Sequence, residues 1–189
     1  MALVILADAY LGHGDEARVT TALEEALALY RWVESDDGAT DALLGLATVA
    51  LNRGEVERAR PLLGAGLRFL RTLGAERATA DALLKSARVA AALGEPERAV
   101  QLLGSVVDRA AARRLMSPAE RDGLDRDLAA WRALLGAAAF EVAAAAGRRL
   151  TSAEAPAEAL AIVQPSPVPL PDATGRRPLP RRAGVGGAG

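Results

Sequence analysis

Cysteine is absent from all 189 residues, which excludes disulfides, thiolate nucleophiles and most structural zinc sites together. A reducing cytoplasm is the compartment that suits such a chain. Aromatic residues make up only 3% of the sequence against 51% hydrophobic residues, so the core must consist of Ala, Leu and Val. These small side chains let helices approach closely, and with few β-branched residues they favour helix over sheet. Lysine occurs once, at Lys85, and histidine once, at His13. The formal net charge is -1, which gives no general attraction to nucleic acid or anionic membranes. Long apolar runs are also lacking: no stretch of about 18 uninterrupted apolar residues exists to span a bilayer. The apolar opening Met1 to Leu11 has no basic segment before it, carries Asp8 and runs into repeat-like sequence, so it reads as a core helix and not as a signal peptide. The expectation is a soluble protein with a single continuous core.

What is present is a repeat. Gly14-Asp15-Glu16-Ala17-Arg18, Gly54-Glu55-Val56-Glu57-Arg58 and Gly94-Glu95-Pro96-Glu97-Arg98 fall 40 residues apart. The same step joins Ala7, Ala47 and Ala87, then Leu23, Leu63 and Leu103, then Leu27, Leu67 and Val107. Each glycine follows an apolar helical run, where a left-handed residue closes a helix without a Cβ penalty. The acid after it suits the positive end of the next helix. Apolar residues then recur at helical spacing, as in Leu23, Ala26, Leu27 and Tyr30, so each unit is a helical hairpin with a buried stripe on each helix. A lone hairpin cannot cover its apolar face, and neighbours must stack.

This pattern predicts helices over 2–12, 15–33, 39–53, 55–72, 77–93 and 95–114. Pro61 falls inside the fourth, where the lost backbone donor should kink the helix or move its start. Ser117-Pro118-Ala119-Glu120 is a capping box opening a long helix to Gly136, a second apolar run covers Ala137 to Gly147, and Thr151-Ser152-Ala153-Glu154 opens a short helix to about Val163. From Gln164 onward, alternating prolines followed by Gly and Arg predict a disordered tail, and the four Arg and one Asp of residues 165–189 leave the helical body the more acidic part. The organisation is therefore three hairpins over 1–115, capping helices over 116–163 and a tail over 164–189.

Three features belong together: the glycine-acid-x-x-Arg turns, Ser117 to Arg121, and the closing run Leu134-Leu135-Gly136, Phe140, Gly147-Arg148, Leu150-Thr151, Glu154-Ala155 and Glu158-Ala159-Leu160. On these the chain resembles the C-terminal helical repeat region of LuxR-type and related large ATP-binding bacterial regulators. The likeness covers roughly residues 1–163. The resemblance implies an all-α, tetratricopeptide-like right-handed solenoid of helical hairpins with a C-terminal helical cap, part of a multidomain signalling ATPase or transcription regulator. Such proteins commonly carry a Trp between Phe140 and Gly147, and this sequence has none there. Neither a nucleotide-binding nor a DNA-reading module is present, and the abrupt start at Met1 without an N-cap suits a fragment of a longer solenoid. The alternative is a truncated LuxR-type regulator whose DNA-binding module is missing from the chain.

Catalytic and cofactor chemistry find no support. Lys85-Ser86 follows Ala82-Leu83-Leu84 with no glycine where a phosphate-binding loop needs one, and Gly184 to Gly189 matches a dinucleotide glycine pattern without a preceding strand. His13 sits in a turn, and adjacent acids such as Glu24-Glu25 and Asp36-Asp37 point in different directions on a helix. Arg18, Arg58 and Arg98 recur with the turn and are read as structural, bridging to nearby carboxylates. No catalytic residue, metal or cofactor is expected. The remaining function is binding of a protein or peptide on the concave surface, where Thr48, Asn52, Lys85 and Arg88 are the polar residues of the first helices. Lys85 and Arg88 lie three apart, share a face and suit an acidic peptide.

Overall fold

Ala and Leu at helical spacing fold as their propensities require. The computed structural model describes residues 16–107 and 118–164, which form α1 (Glu16–Trp32), α2 (Asp36–Asn52), α3 (Val56–Leu73), α4 (Glu76–Ala92), α5 (Pro96–Val107), α6 (Pro118–Leu135), α7 (Ala137–Arg148) and α8 (Glu154–Val163). The helix expected over 2–12, the His13-Gly14 turn, the stretch 108–114, Ser117 and the tail from Pro165 lie outside the described residues. No helix among the described residues is long and apolar enough to cross a membrane.

The turns explain the repeat glycines. Gly54 and Gly94 take φ values of 73° and 82°, and the amides of Glu55 and Glu95 reach back to the carbonyls of Ala50 and Ala90 at 2.8 and 2.9 Å. This is the Schellman closure, in which a left-handed residue lets the chain satisfy the last carbonyls of a helix. The turn between α1 and α2 has the same closure, Ser35 N–H to Tyr30 O at 2.9 Å, but its left-handed residue is Glu34 at φ 55°. One repeat later the corresponding residue is Gly74, at φ 63°. The acids after the glycines do more than face a helix dipole: Glu55 bonds Arg58 and Glu95 bonds Arg98.

Two expectations are corrected. α2 begins at Asp36, three residues ahead of the expected 39, because Ser35 caps it, its Oγ accepting from the Gly38 amide at 3.4 Å. Gly38 is thus a helical residue. A Cβ there would lie 2.3 Å from the Tyr30 ring, so the glycine makes room for an aromatic side chain from α1. Of the two outcomes expected of Pro61, a moved helix start does not occur: α3 runs from Val56 to Leu73 with Pro61 inside it. Pro61 and Glu57, whose carbonyl would have accepted the missing bond, are both exposed, so water can take that acceptor.

Consecutive helices pack as pairs, and the helices sort into two layers. α2 and α4 are the inner layer; α2 buries ten of its 17 residues, among them Leu43, Leu44, Leu46 and Val49. α1, α3 and α5 form the outer layer with narrower stripes, for example Val19, Leu23, Ala26 and Leu27 on α1. α2 also divides the core: Leu43 and Leu46 pack with α1, while Leu44 and Ala47 join a larger cluster that continues through Leu63, Leu67 and Leu103 to Ile162 and Val163.

α7 lies closely against α5. A Cβ on Gly147 would fall 1.9 Å from the Gln101 carbonyl oxygen, and one on Gly104 would fall 2.4 Å from that of Ala144, so the two backbones meet through a pair of glycines. α8 then turns back along the stack and packs on α3, α4 and α5. Its entry is the expected capping box: the Thr151 amide donates to Glu154 Oε2 at 2.8 Å and the Glu154 amide to Thr151 Oγ1 at 3.2 Å. The Thr151 amide, and after it the hydroxyl, hold the exposed Glu154 carboxyl below its ordinary value.

Candidate functional site

The four polar residues singled out in the sequence lie on the inner layer. Thr48 and Asn52 are one turn apart on α2, and at 100° per residue they face away from Leu43 and Leu46. Thr48 donates its hydroxyl to the Leu44 carbonyl at 3.0 Å, and Asn52 is exposed. Lys85 and Arg88 are half-buried on α4, and both are ion-paired: Lys85 Nζ with Asp81, and Arg88 Nε with Asp127 of α6 at 2.6 Å. A step of 40 carries Thr48 onto Arg88 and Asp41 onto Asp81. Burial, and then the neighbouring Asp37 and Asp81, push the Asp41 carboxyl above its ordinary value of 3.8. This face therefore mixes carboxylates with cations that are already held by partners.

The outer layer carries a second feature. Arg58 and Arg98 occupy the same repeat position on α3 and α5, and both bridge carboxylates, as expected. The carboxylates differ in origin. Arg98 bonds Glu95 at 2.7 Å and Glu158 of α8 at 2.8 Å. Burial pulls the Arg98 guanidinium down, but its hydrogen bonds to Glu158 and Glu95 outweigh this and hold it above its ordinary value. Arg58 bonds Glu55 and Glu24 of α1, each at 3.2 Å.

α8 fills the furrow between α3 and α5. Its Ala159, Ile162 and Val163 are buried, a Cβ on Gly64 of α3 would sit 3.6 Å from Val163 Cγ2, and Arg60 of α3 donates to the Gln164 carbonyl at 2.7 Å, completing an acceptor at the helix's negative end. One repeat upstream, the furrow between α1 and α3 is open among the described residues, with a volume of about 370 Å³. Leu27, Leu43, Leu46 and Leu62 give it an apolar lining, with Glu24, Arg31 and Arg58 around them. A second opening, about 320 Å³, lies between α5, α6 and α7; at its rim Arg132 stands 5.2 Å over the Phe140 ring and bonds Glu141 at 2.8 Å. Among the described residues no group of three His, Cys, Asp or Glu side chains is placed to hold a metal ion.

Comparison with known proteins identifies one repeat unit. Residues 81–111 match the family model described as tetratricopeptide repeat, so the chain carries such a repeat within an all-helical repeat fold. The match falls on the α4–α5 hairpin. The internal step of 40 residues is longer than the roughly 34 of the common tetratricopeptide unit. No curated protein and no solved structure matches the chain.

Proposed function

We propose that this chain is a noncatalytic protein-interaction module that takes a polypeptide partner on the open side of α2 and α4. The observation that carries this reading is the tetratricopeptide repeat at residues 81–111, since such repeats suggest protein binding and are typically noncatalytic. The inner-layer face supplies the contacts: Asn52 is exposed, Thr48 keeps acceptor capacity, and the Lys85–Asp81 and Arg88–Asp127 pairs hold charged groups in fixed places. A partner peptide with both signs of charge would meet complementary groups along this row.

The larger setting we assign is the repeat end of a multidomain bacterial signalling ATPase or transcription regulator, on the strength of the closing run from Leu134 to Leu160. Reading the DNA that flanks this reading frame tests that setting: an in-frame nucleotide-binding or helix-turn-helix segment supports it, and its absence on both sides counts against it. The binding function is tested by capture from a lysate of the source organism with mass spectrometric identification. The wild-type chain should enrich a defined partner that Asn52→Arg with Arg88→Glu loses while keeping its helical circular dichroism. Equal recovery by the wild type and a folded face variant would overturn the assignment.

A further inference from the structure

The filled and open furrows are the same piece of the repeat used twice. Arg58, Leu27 and Leu43 of the open furrow correspond at 40 residues to Arg98, which bonds α8, and to Leu67 and Leu83, which share a buried cluster with Ile162 and Val163 of α8. We propose that the α1–α2–α3 furrow is a docking site for a short amphipathic helix from a partner protein, with small aliphatic residues on one face and a glutamate set to reach Arg58. This surface is distinct from the α2/α4 face, being lined by the opposite side of α2.

The template is α8 itself, whose sequence EAPAEALAIV offers small aliphatic residues to the furrow and Glu158 to Arg98. In the open furrow, Glu24 stands in for Glu158: it supplies from α1 the carboxylate that Arg98 receives from α8. Both partners of the Arg58–Glu24 pair are about half exposed, so an incoming glutamate displaces Glu24 at little cost. Arg31 at the same opening adds a second cation that favours an acidic occupant.

Two differences make the upstream furrow exchangeable where the downstream one is permanently filled. Position 24 carries a Glu side chain where position 64 carries Gly, which narrows the floor against which Val163 rests downstream. Position 20 carries Thr where position 60 carries the Arg that clamps the end of α8, and Thr20 already donates to the Glu16 carbonyl at 2.8 Å. An occupant there lacks the α8 clamp and must move Glu24. Two occupants from the chain itself, its C-terminal tail and the α8 of a second copy, do not suit this furrow. Residues 165–189 hold six prolines and four arginines, a composition of low helix propensity whose charge repels Arg58 and Arg31, and the α8 of a second copy is already seated in its own furrow.

The test uses the full chain and a fluorescent peptide of residues 150–164, the α8 sequence, with a photo-crosslinking residue in place of its Val163. We expect saturable binding and crosslinks to the tryptic fragment 19–31, which contains Glu24, the counterpart of Gly64. Glu24→Ala should tighten binding about fivefold, Arg58→Ala should weaken it about fivefold, and Leu62→Glu should abolish it with helicity retained. If Leu62→Glu fails to fold, the opposite effects of Glu24→Ala and Arg58→Ala decide the matter. No saturable binding, crosslinks confined to fragment 59–68, or affinity indifferent to all three substitutions would overturn the proposal. Because none of these residues lies on the α2/α4 face, failure here is separable from loss of partner binding by Asn52→Arg with Arg88→Glu.

Discussion

The upstream unit, α1 to α3, and the downstream unit, α3 to α8, are built from the same repeat but are finished differently. Downstream, α7 meets α5 backbone to backbone, α8 seals the outer furrow, and the core runs without interruption from Leu44 to Val163. Upstream, a smaller apolar cluster is bounded by an open furrow, and Leu29 and Trp32 of α1 and Val33 just after it are exposed, Trp32 by 81%. The difference teaches that a repeat position fixes a furrow and an arginine, while the side chain delivered to that arginine decides whether the furrow is closed.

Breaking the downstream unit should have the largest effect. Gly147→Ala drives a methyl group into the Gln101 backbone, which no rotamer change relieves, and we expect a loss of about 3 kcal/mol in urea unfolding. Gly64→Ala is its counterpoint. There the added methyl makes ordinary contact with Val163, and helix propensity should yield a gain of roughly 0.5–1 kcal/mol.

The paired arginines sharpen the comparison. Arg98→Ala removes a two-carboxylate bridge that ties α5 to α8 across half-buried side chains and should cost about 1 kcal/mol. Arg58→Ala breaks more exposed pairs and should cost at most about 0.5 kcal/mol by the same denaturation measurement. Equal costs would mean that α8 contributes nothing through Glu158.

The turns offer a smaller test. Glu34 holds the left-handed conformation that Gly74 holds one repeat later, so Glu34→Gly should stabilise the chain by roughly 0.5 kcal/mol in thermal unfolding. Asp41 gives the subtlest effect. Its folded pKa is raised above 3.8, so between those values the native state holds more protons than the unfolded state, and stability falls as pH rises through that window. Asp41→Asn should therefore melt higher than the wild type at pH 7, with the gap closing as pH is lowered towards 3.8.

Much of the fold was legible because its signals are local. Gly54 and Gly94 announce their turns through backbone conformation alone, and Leu63, Leu67 and Leu70 mark the buried stripe of α3. Signals of tertiary origin were not legible. The expected start at residue 39 left Gly38 outside the helix, and the Tyr30 ring packed against it explains why a glycine stands inside α2. Pro61 looks like a breaker, yet the packing of the rest of α3 carries the helix through it. The polar residues Thr48, Asn52, Lys85 and Arg88 were found by position, but the Asp127 that engages Arg88 is 39 residues away and carried no pattern. Arg58 and Arg98 were seen as a repeating pair. That one is answered from within its own unit and the other by α8 depends on where the chain returns, which periodicity does not encode.

The seating of α8 is the claim on which the two-unit comparison rests, and the absence of cysteine permits a direct measurement. Cysteines introduced as Gly64→Cys with Val163→Cys should oxidise within the monomer, because the Cβ position of residue 64 lies 3.6 Å from the Val163 side chain. Glu24→Cys with Val163→Cys, the same pairing moved one repeat upstream, should leave two free thiols within the monomer. Closure of the upstream pair, or free thiols in the downstream pair under oxidising conditions, would contradict the account.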